Sequence, residues 1–372
     1  MRIRRWMVAM IVAAAVVGAG TTSAEAHEQP GRLVNAEGLP KDLWLPETGR
    51  AYRVKYTSTG YDGRRVIVSG AVFVPPGRAP KGGWPVISWA HGTVGVADVC
   101  ANSRAGRSQR DIDFLTTWLA AGYAIVASDY EGLGTPGEHA YLNGRSEAYG
   151  VIDIVRAARK LDHSLGRAWL SVGQSQGGQA SLFTGSVIRK YAPELDYRGT
   201  IATAPSSQLR LTASVAKPFD AASPANPSVL MIVAGLRNTH PKTFDAARYL
   251  TPYGQELLAK AMNTDCYTAI AQQLAGKHGT DIFDVDAAEQ EELLRMIDQD
   301  AEIPISRYRE PLFIGQGTAD LTAYPLATKI TADKLREAGS KVTFTFYPGA
   351  DHGGVMAAAK ADMLTWAAAR MR

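Results

Sequence analysis

Apolar and polar side chains alternate in Tyr52-Arg53-Val54-Lys55-Tyr56, the period of a strand with one buried face. A β-rich run over residues 66–74 stops at Pro75-Pro76, and Trp84-Pro85-Val86-Ile87-Ser88-Trp89-Ala90 reads as a third strand. Residues 27–50 hold several Pro and Gly and little periodicity, so they read as an extended lead-in. The pattern then changes. Residues 111–121 look helical, and Gly122-Tyr123-Ala124-Ile125-Val126-Ala127 is a short, almost wholly apolar run. Ala148, Val151, Ile152, Val155, Ala158 and Leu161 recur at helical spacing. Ala168-Trp169-Leu170-Ser171-Val172 is a further buried strand, followed by a helix over 176–191 and a strand over 199–204. Strands alternating with helices at this interval predict a parallel sheet covered on both faces, and the hairpin-like start predicts an antiparallel part near the N-terminus.

The alternation lapses over residues 206–309, which are mostly helical in pattern, most clearly at 255–262 and 287–297. It resumes at Pro311-Leu312-Phe313-Ile314-Gly315 and ends with Val342-Thr343-Phe344-Thr345-Phe346-Tyr347. The expected architecture is an α/β fold with a mostly parallel eight-stranded sheet flanked by helices. Its core would comprise residues 27–205 and 310–372, with a helical cap inserted at 206–309.

Residues 1–26 stand apart from this scheme. Arg2, Arg4 and Arg5 precede an apolar run over 7–20, and Ala24-Glu25-Ala26 has the small-x-small pattern of a cleavage site, so the segment reads as a secretory signal peptide. The run is shorter than the roughly 20 residues a membrane-spanning helix needs. A secreted chain cut near Ala26 is expected. Loss of Arg2, Arg4, Arg5 and Glu25 lowers the formal charge from +4 to +2. That balance is too near neutral, and too evenly spread along the chain, to suggest nucleic acid or an anionic membrane as partner. The two cysteines, Cys100 and Cys266, form an even count that favours a disulfide in an exported chain. No cysteine or histidine cluster suggests a metal, and no cofactor motif stands out.

Gly173-Gln174-Ser175-Gln176-Gly177 fits G-x-S-x-G, with an apolar strand running into it and a helix leaving it. That context is what a nucleophile elbow requires. A serine hydroxyl needs a base, and three histidines follow: His240, His278 and His352. His352 stands just past the last strand, at the sheet edge where Ser175 also lies, whereas His240 and His278 fall in the helical insertion and read as surface residues. The orienting acid should close another strand, which selects Asp320 over Asp351, since neighbours on an extended chain point apart. The order Ser, Asp, His matches α/β-hydrolases. An oxyanion needs backbone donors, assigned to the N–H groups of Gln176 and Thr93. His91 precedes the nucleophile in the chain and reads as a brace for the Thr93 loop.

Asp129-Tyr130-Glu131-Gly132-Leu133-Gly134-Thr135-Pro136-Gly137, taken with Gly173-Gln174-Ser175-Gln176-Gly177-Gly178-Gln179-Ala180, resembles the secretory lipase family. The resemblance covers about residues 50–370. It implies an α/β-hydrolase core, a helical cap after the sixth strand, and activity on carboxylic esters. Ser175, Asp320 and His352 match the family's triad motifs. One departure stands out: a yeast member has an acidic residue where this chain reads His91-Gly92-Thr93. The Asp129 segment reads first as a buried structural turn, and Ser228-Val229-Leu230-Met231-Ile232-Val233-Ala234-Gly235-Leu236 as a buried cap helix rather than an acyl-binding wall. A Cys100–Cys266 bridge would tether cap to core. The leading expectation is a lipase or esterase working through an acyl-enzyme on a small or lipid ester, with transient contact to a lipid interface. Rivals are an aminopeptidase or amidase, an acyltransferase, and a non-enzymatic binding protein that keeps the elbow.

Overall fold

The computed structural model describes residues 29–371; the expected signal peptide at 1–26 lies outside them. Nine strands form one sheet: β1 (Leu33–Gly38), β2 (Arg50–Thr59), β3 (Arg65–Val74), β4 (Trp84–Ala90), β5 (Ala124–Ser128), β6 (Leu165–Gln174), β7 (Asp196–Thr203), β8 (Leu312–Gly317) and β9 (Val342–Tyr347). Their order is β1-β2-β3-β5-β4-β6-β7-β8-β9. β1, β2, β3 and β5 pair antiparallel in succession, and every pair from β5 through β4 to β9 is parallel.

The expected eight strands therefore become nine. The addition, β1, lies in the segment read as a lead-in. Four of its six residues are exposed, and its register shifts between Leu33 and Asn35. An edge strand joined to β2 through main-chain bonds, with little buried surface, has no alternation to betray it.

The inner strands carry apolar side chains on both faces, and period two sorts them. Ala71 and Phe73 of β3 join Ile125 and Ala127 of β5 in one core, beneath Phe114, Leu115 and Trp118 of the helix Gln109–Ala120. Val72 and Val74 join Ala124 and Val126 in the opposite core, against Val151, Ile152 and Val155 of the helix Gly144–Leu161 and Ala180 and Ile188 of the helix Gln176–Tyr191. Burial on both faces is the reason these strands read as continuous apolar runs.

Between β7 and β8 the chain forms helices at Leu209–Ala216, Pro227–Thr239, Pro252–Asn263, Tyr267–Gln273 and Ala287–Ala301. Asn226 caps the second of these by accepting from Ser228 N–H, and Pro227 occupies its first turn, where a missing N–H costs nothing. Its Leu230, Met231, Val233 and Leu236 are buried among Leu257, Ile270, Leu293 and Met296. Val96 from beyond β4 and Tyr141 and Leu142 from beyond β5 enter the same cluster, so the helical layer rests on the loops at the carboxyl edge of the sheet. Three further ties hold it there. Cys100 and Cys266 are disulfide-bonded, Tyr267 N–H donates to Val94 O at 2.9 Å, and a Cβ at Gly235 would sit 2.6 Å from Tyr141 O.

Candidate active site

β6 ends at Gln174 and the next helix begins at Gln176, so the whole reversal falls on Ser175, whose φ and ψ are 59° and −122°. The chain can turn this sharply because its flanks carry no Cβ. One at Gly173 would overlap Gly177 O, and one at Gly177 would overlap Ala90 O. Ser175 N–H donates to Thr203 O at 3.0 Å, which ties the bend to β7.

His352 arrives from the loop beyond β9. Its Nε2 lies 2.9 Å from Ser175 Oγ, and its Nδ1 lies 2.8 Å from Asp320 Oδ2. Asp320, 1% exposed, sits just past β8. Its Oδ1 accepts from Thr322 N–H at 2.8 Å and Ala323 N–H at 2.9 Å, and Gln316 Nε2 donates to Oδ2 at 3.1 Å. With the carboxylate held this way, Nδ1 carries the imidazole proton and Nε2 is free to accept from the serine. Gln174 Nε2 donates to His352 O at 2.9 Å and so fixes the histidine loop to the end of β6. Asp351 turns elsewhere, accepting from Gly354 N–H at 2.7 Å. His278 is exposed. His240, read as a surface residue, is instead partly buried with Nε2 3.2 Å from Asp300 Oδ2.

The loop after β4 passes directly beside the elbow: a Cβ at Gly92 would lie 3.7 Å from Ser175 Cβ. Thr93 follows, its Oγ1 2.6 Å from Tyr141 OH. His91 is buried, packs its ring 4.3 Å from that of Tyr130, and bonds through Nδ1 to Gly92 O at 2.7 Å. Burial pushes its pKa down, so it stays neutral. Tyr130 OH donates to His91 O at 2.9 Å. Glu131 accepts from Tyr61 N–H at 3.0 Å and from Ser146 Oγ, and Asp129 from Ser69 Oγ and Ser103 N–H, so the Asp129 segment is a buried turn that supports the loop.

Gln176, the first residue of its helix, has an N–H with no intrahelical partner. Its side chain is clamped by two residues that the sequence reading missed. Gln176 Nε2 donates to Glu147 Oε1 at 2.7 Å and lies 3.2 Å from His139 Nε2. His139 Nδ1 bonds to Glu131 O at 2.7 Å, which leaves Nε2 as the acceptor, and burial lowers its pKa to about 3. Burial raises that of Glu147 to about 8. Glu147 Oε1 also accepts from Leu142 N–H at 2.9 Å, whereas Oε2 is buried with no partner among the described residues, the oxygen suited to carry the proton. The one available signal was a carboxylate placed within an otherwise apolar helical stripe.

A mixed sheet of this order, with a serine at a strand-to-helix elbow and a histidine beyond the last strand, places the fold in the α/β-hydrolase class. Within that class the chain belongs to the secretory lipase family, whose model matches residues 100–372. It is 25% identical over 244 residues to Lipase A of Moesziomyces aphidis, an alignment covering 61% of this chain and 50% of that one. It is 24% identical over 286 residues to a Mycobacterium tuberculosis protein named "Probable inactive lipase MT1628", covering 69% and 59%. The rice cell wall degrading esterase LipA from Xanthomonas oryzae has a similar fold, with a TM-score of 0.73 at 18% identity over 92% of this chain and 98% of that one. The chain spans 21 to 59% of the length of the curated relatives it matches.

Proposed function

We propose that the chain is a secreted carboxylic ester hydrolase of the lipase or esterase type that works through an acyl-enzyme on Ser175. The carrying observation is the continuous contact from Ser175 Oγ to His352 Nε2 at 2.9 Å and from His352 Nδ1 to Asp320 Oδ2 at 2.8 Å. Ser175 Oγ attacks the ester carbonyl while His352 Nε2 takes the hydroxyl proton. Asp320 holds the tautomer and stabilises the imidazolium. The N–H groups of Gln176 and Thr93 receive the oxyanion. Collapse breaks the bond to the alcohol oxygen, which leaves with the proton from His352. Water then attacks the acyl-serine by the same route and releases the carboxylic acid.

The lipase and esterase names of the relatives support ester chemistry over the amidase and acyltransferase alternatives. The mycobacterial relative's name raises the opposite reading, an elbow without activity. The close approach of serine, imidazole and carboxylate here argues against that. A panel of p-nitrophenyl esters from acetate to palmitate, run beside aminoacyl p-nitroanilides, decides between the ester hydrolase, the amidase and the inactive elbow. Ester turnover is expected. Anilide turnover alone would replace the reading with an aminopeptidase, and no turnover of either would favour a binding protein. Sequencing the N-terminus of the secreted chain tests cleavage near Ala26.

A further inference from the structure

A second cleft, of about 1180 Å³, lies at the opposite edge of the sheet, around the start of β6 and the residues leading into β7. Its wall carries Arg32, Arg156, Arg159, Lys160, His163 and Arg167. β6 runs from Leu165 in this cleft to Gln174 beside the candidate active site, so about 30 Å separates the two at the usual strand rise.

Arg156 is neutralised by Asp153 at 2.7 Å and Glu194 at 2.6 Å. The side chains of Arg32, Arg159, Lys160, His163 and Arg167 make no hydrogen bond or ion pair with the described residues. Arg159 is half-buried, and its pKa is lowered first by burial and then by the positive charge of Arg167, with the Asp196 carboxylate acting the other way. Two helices, Gly144–Leu161 and Gln176–Tyr191, point their C-termini here. Each supplies the equivalent of roughly half a negative charge. That offsets about one cation, and Asp153 and Glu194 together carry one charge more than Arg156 supplies, so of the four charges on Arg32, Arg159, Lys160 and Arg167 about two are left over among the described residues.

We infer that this cleft binds a linear polyanion of repeating phosphate groups. Clustered cations without partners of their own suit phosphate oxygens as point charges, and a bound chain of anions relieves the repulsion between Arg159 and Arg167. Orthophosphate is too small to reach cations spread around a cleft of this volume at once. Docking through this edge leaves the Ser175 edge facing away from the polymer.

The test is titration of the purified chain with long-chain inorganic polyphosphate, read by a direct binding signal. Orthophosphate at equal phosphate concentration, phosphatidylglycerol vesicles and a single-stranded oligonucleotide run beside it. Polyphosphate is expected to bind most tightly, with an affinity that falls steeply with salt. Arg159→Ala with Arg167→Ala should weaken it at least tenfold and lower the salt slope by about two. Arg159→Lys with Arg167→Lys, which keeps the charge, should retain most of the binding, and both double variants should keep the wild-type melting profile. Orthophosphate binding as tight as polyphosphate, stronger binding of vesicles or oligonucleotide, or an alanine variant indistinguishable from wild type would each overturn the inference. Because binding is read without any ester, the outcome is independent of the hydrolase reading.

Discussion

At the carboxyl ends of β6, β8 and β9, each polar side chain that meets Ser175 has a fixed partner: imidazole on hydroxyl, carboxylate on imidazole, and two backbone amides on the carboxylate. At the other edge, five basic side chains share one cleft without a described partner. Groups that must react in one geometry are pinned by neighbours that hold them in register. Groups that are to meet a partner from outside can be left with unsatisfied charge. The contrast separates the proposed reaction site, whose polar groups are held by internal partners, from the proposed recognition surface.

The largest effect that could break this contrast is expected at Ser175. Ser175→Ala should lower kcat/KM for p-nitrophenyl esters by about 10⁴-fold or more, and wild-type rates would sink the assignment of the nucleophile. Asp320→Asn should follow at about 10³- to 10⁴-fold in kcat. Its remaining oxygen can still accept from Thr322 and Ala323, but its amide would present N–H where the imidazole needs an acceptor. A drop confined to KM would show that Asp320 shapes binding rather than the base.

Smaller effects sharpen the picture of what holds the Ser175 edge. Cys100→Ser with Cys266→Ser should reduce the unfolding free energy by about 2–4 kcal/mol, since the bridge spans a long stretch of chain. Urea denaturation with an unchanged midpoint would mean that the bridge constrains nothing. The Glu147 carboxyl is pushed by burial from 4.5 up to about 8, so the folded state holds its proton more tightly than the unfolded state does. Its stabilising contribution is full below about pH 4.5 and is lost as pH rises through about 8. Glu147→Gln keeps an oxygen for Gln176 and Leu142 but cannot ionise, so its melting temperature should fall less between pH 5 and pH 8.5. Parallel curves for variant and wild type would refute this account.

Legibility from sequence followed the same divide. The elbow could be read because glycine spacing, an apolar strand and a helix start coincide within a few residues around Ser175. The meeting of His352 and Asp320 beside Ser175 could be anticipated because each follows a strong strand pattern. β1 could not, since an exposed edge strand pairs through its backbone and leaves no side-chain period. Glu147 and His139 escaped because sequence does not give depth, and a carboxylate in a helix looks the same whether solvated or buried. The basic cleft escaped for another reason: Arg32 shares a wall with Arg159 and Arg167 only because the segment before β1 packs on the helix Gly144–Leu161, and distant positions cannot be summed along a line.

The bridge between Cys100 and Cys266 also joins two parts of the chain that are far apart in sequence. Cys100 closes the segment that begins at Gly92 and Thr93, and Cys266 opens a helix of the layer above. Until the sulfurs are joined, that segment is held to the layer by weaker ties such as Tyr267 N–H to Val94 O. Oxidation therefore adds the covalent tie between that segment and the layer above it. In a reducing compartment the loop beside Ser175 would lack this covalent anchor.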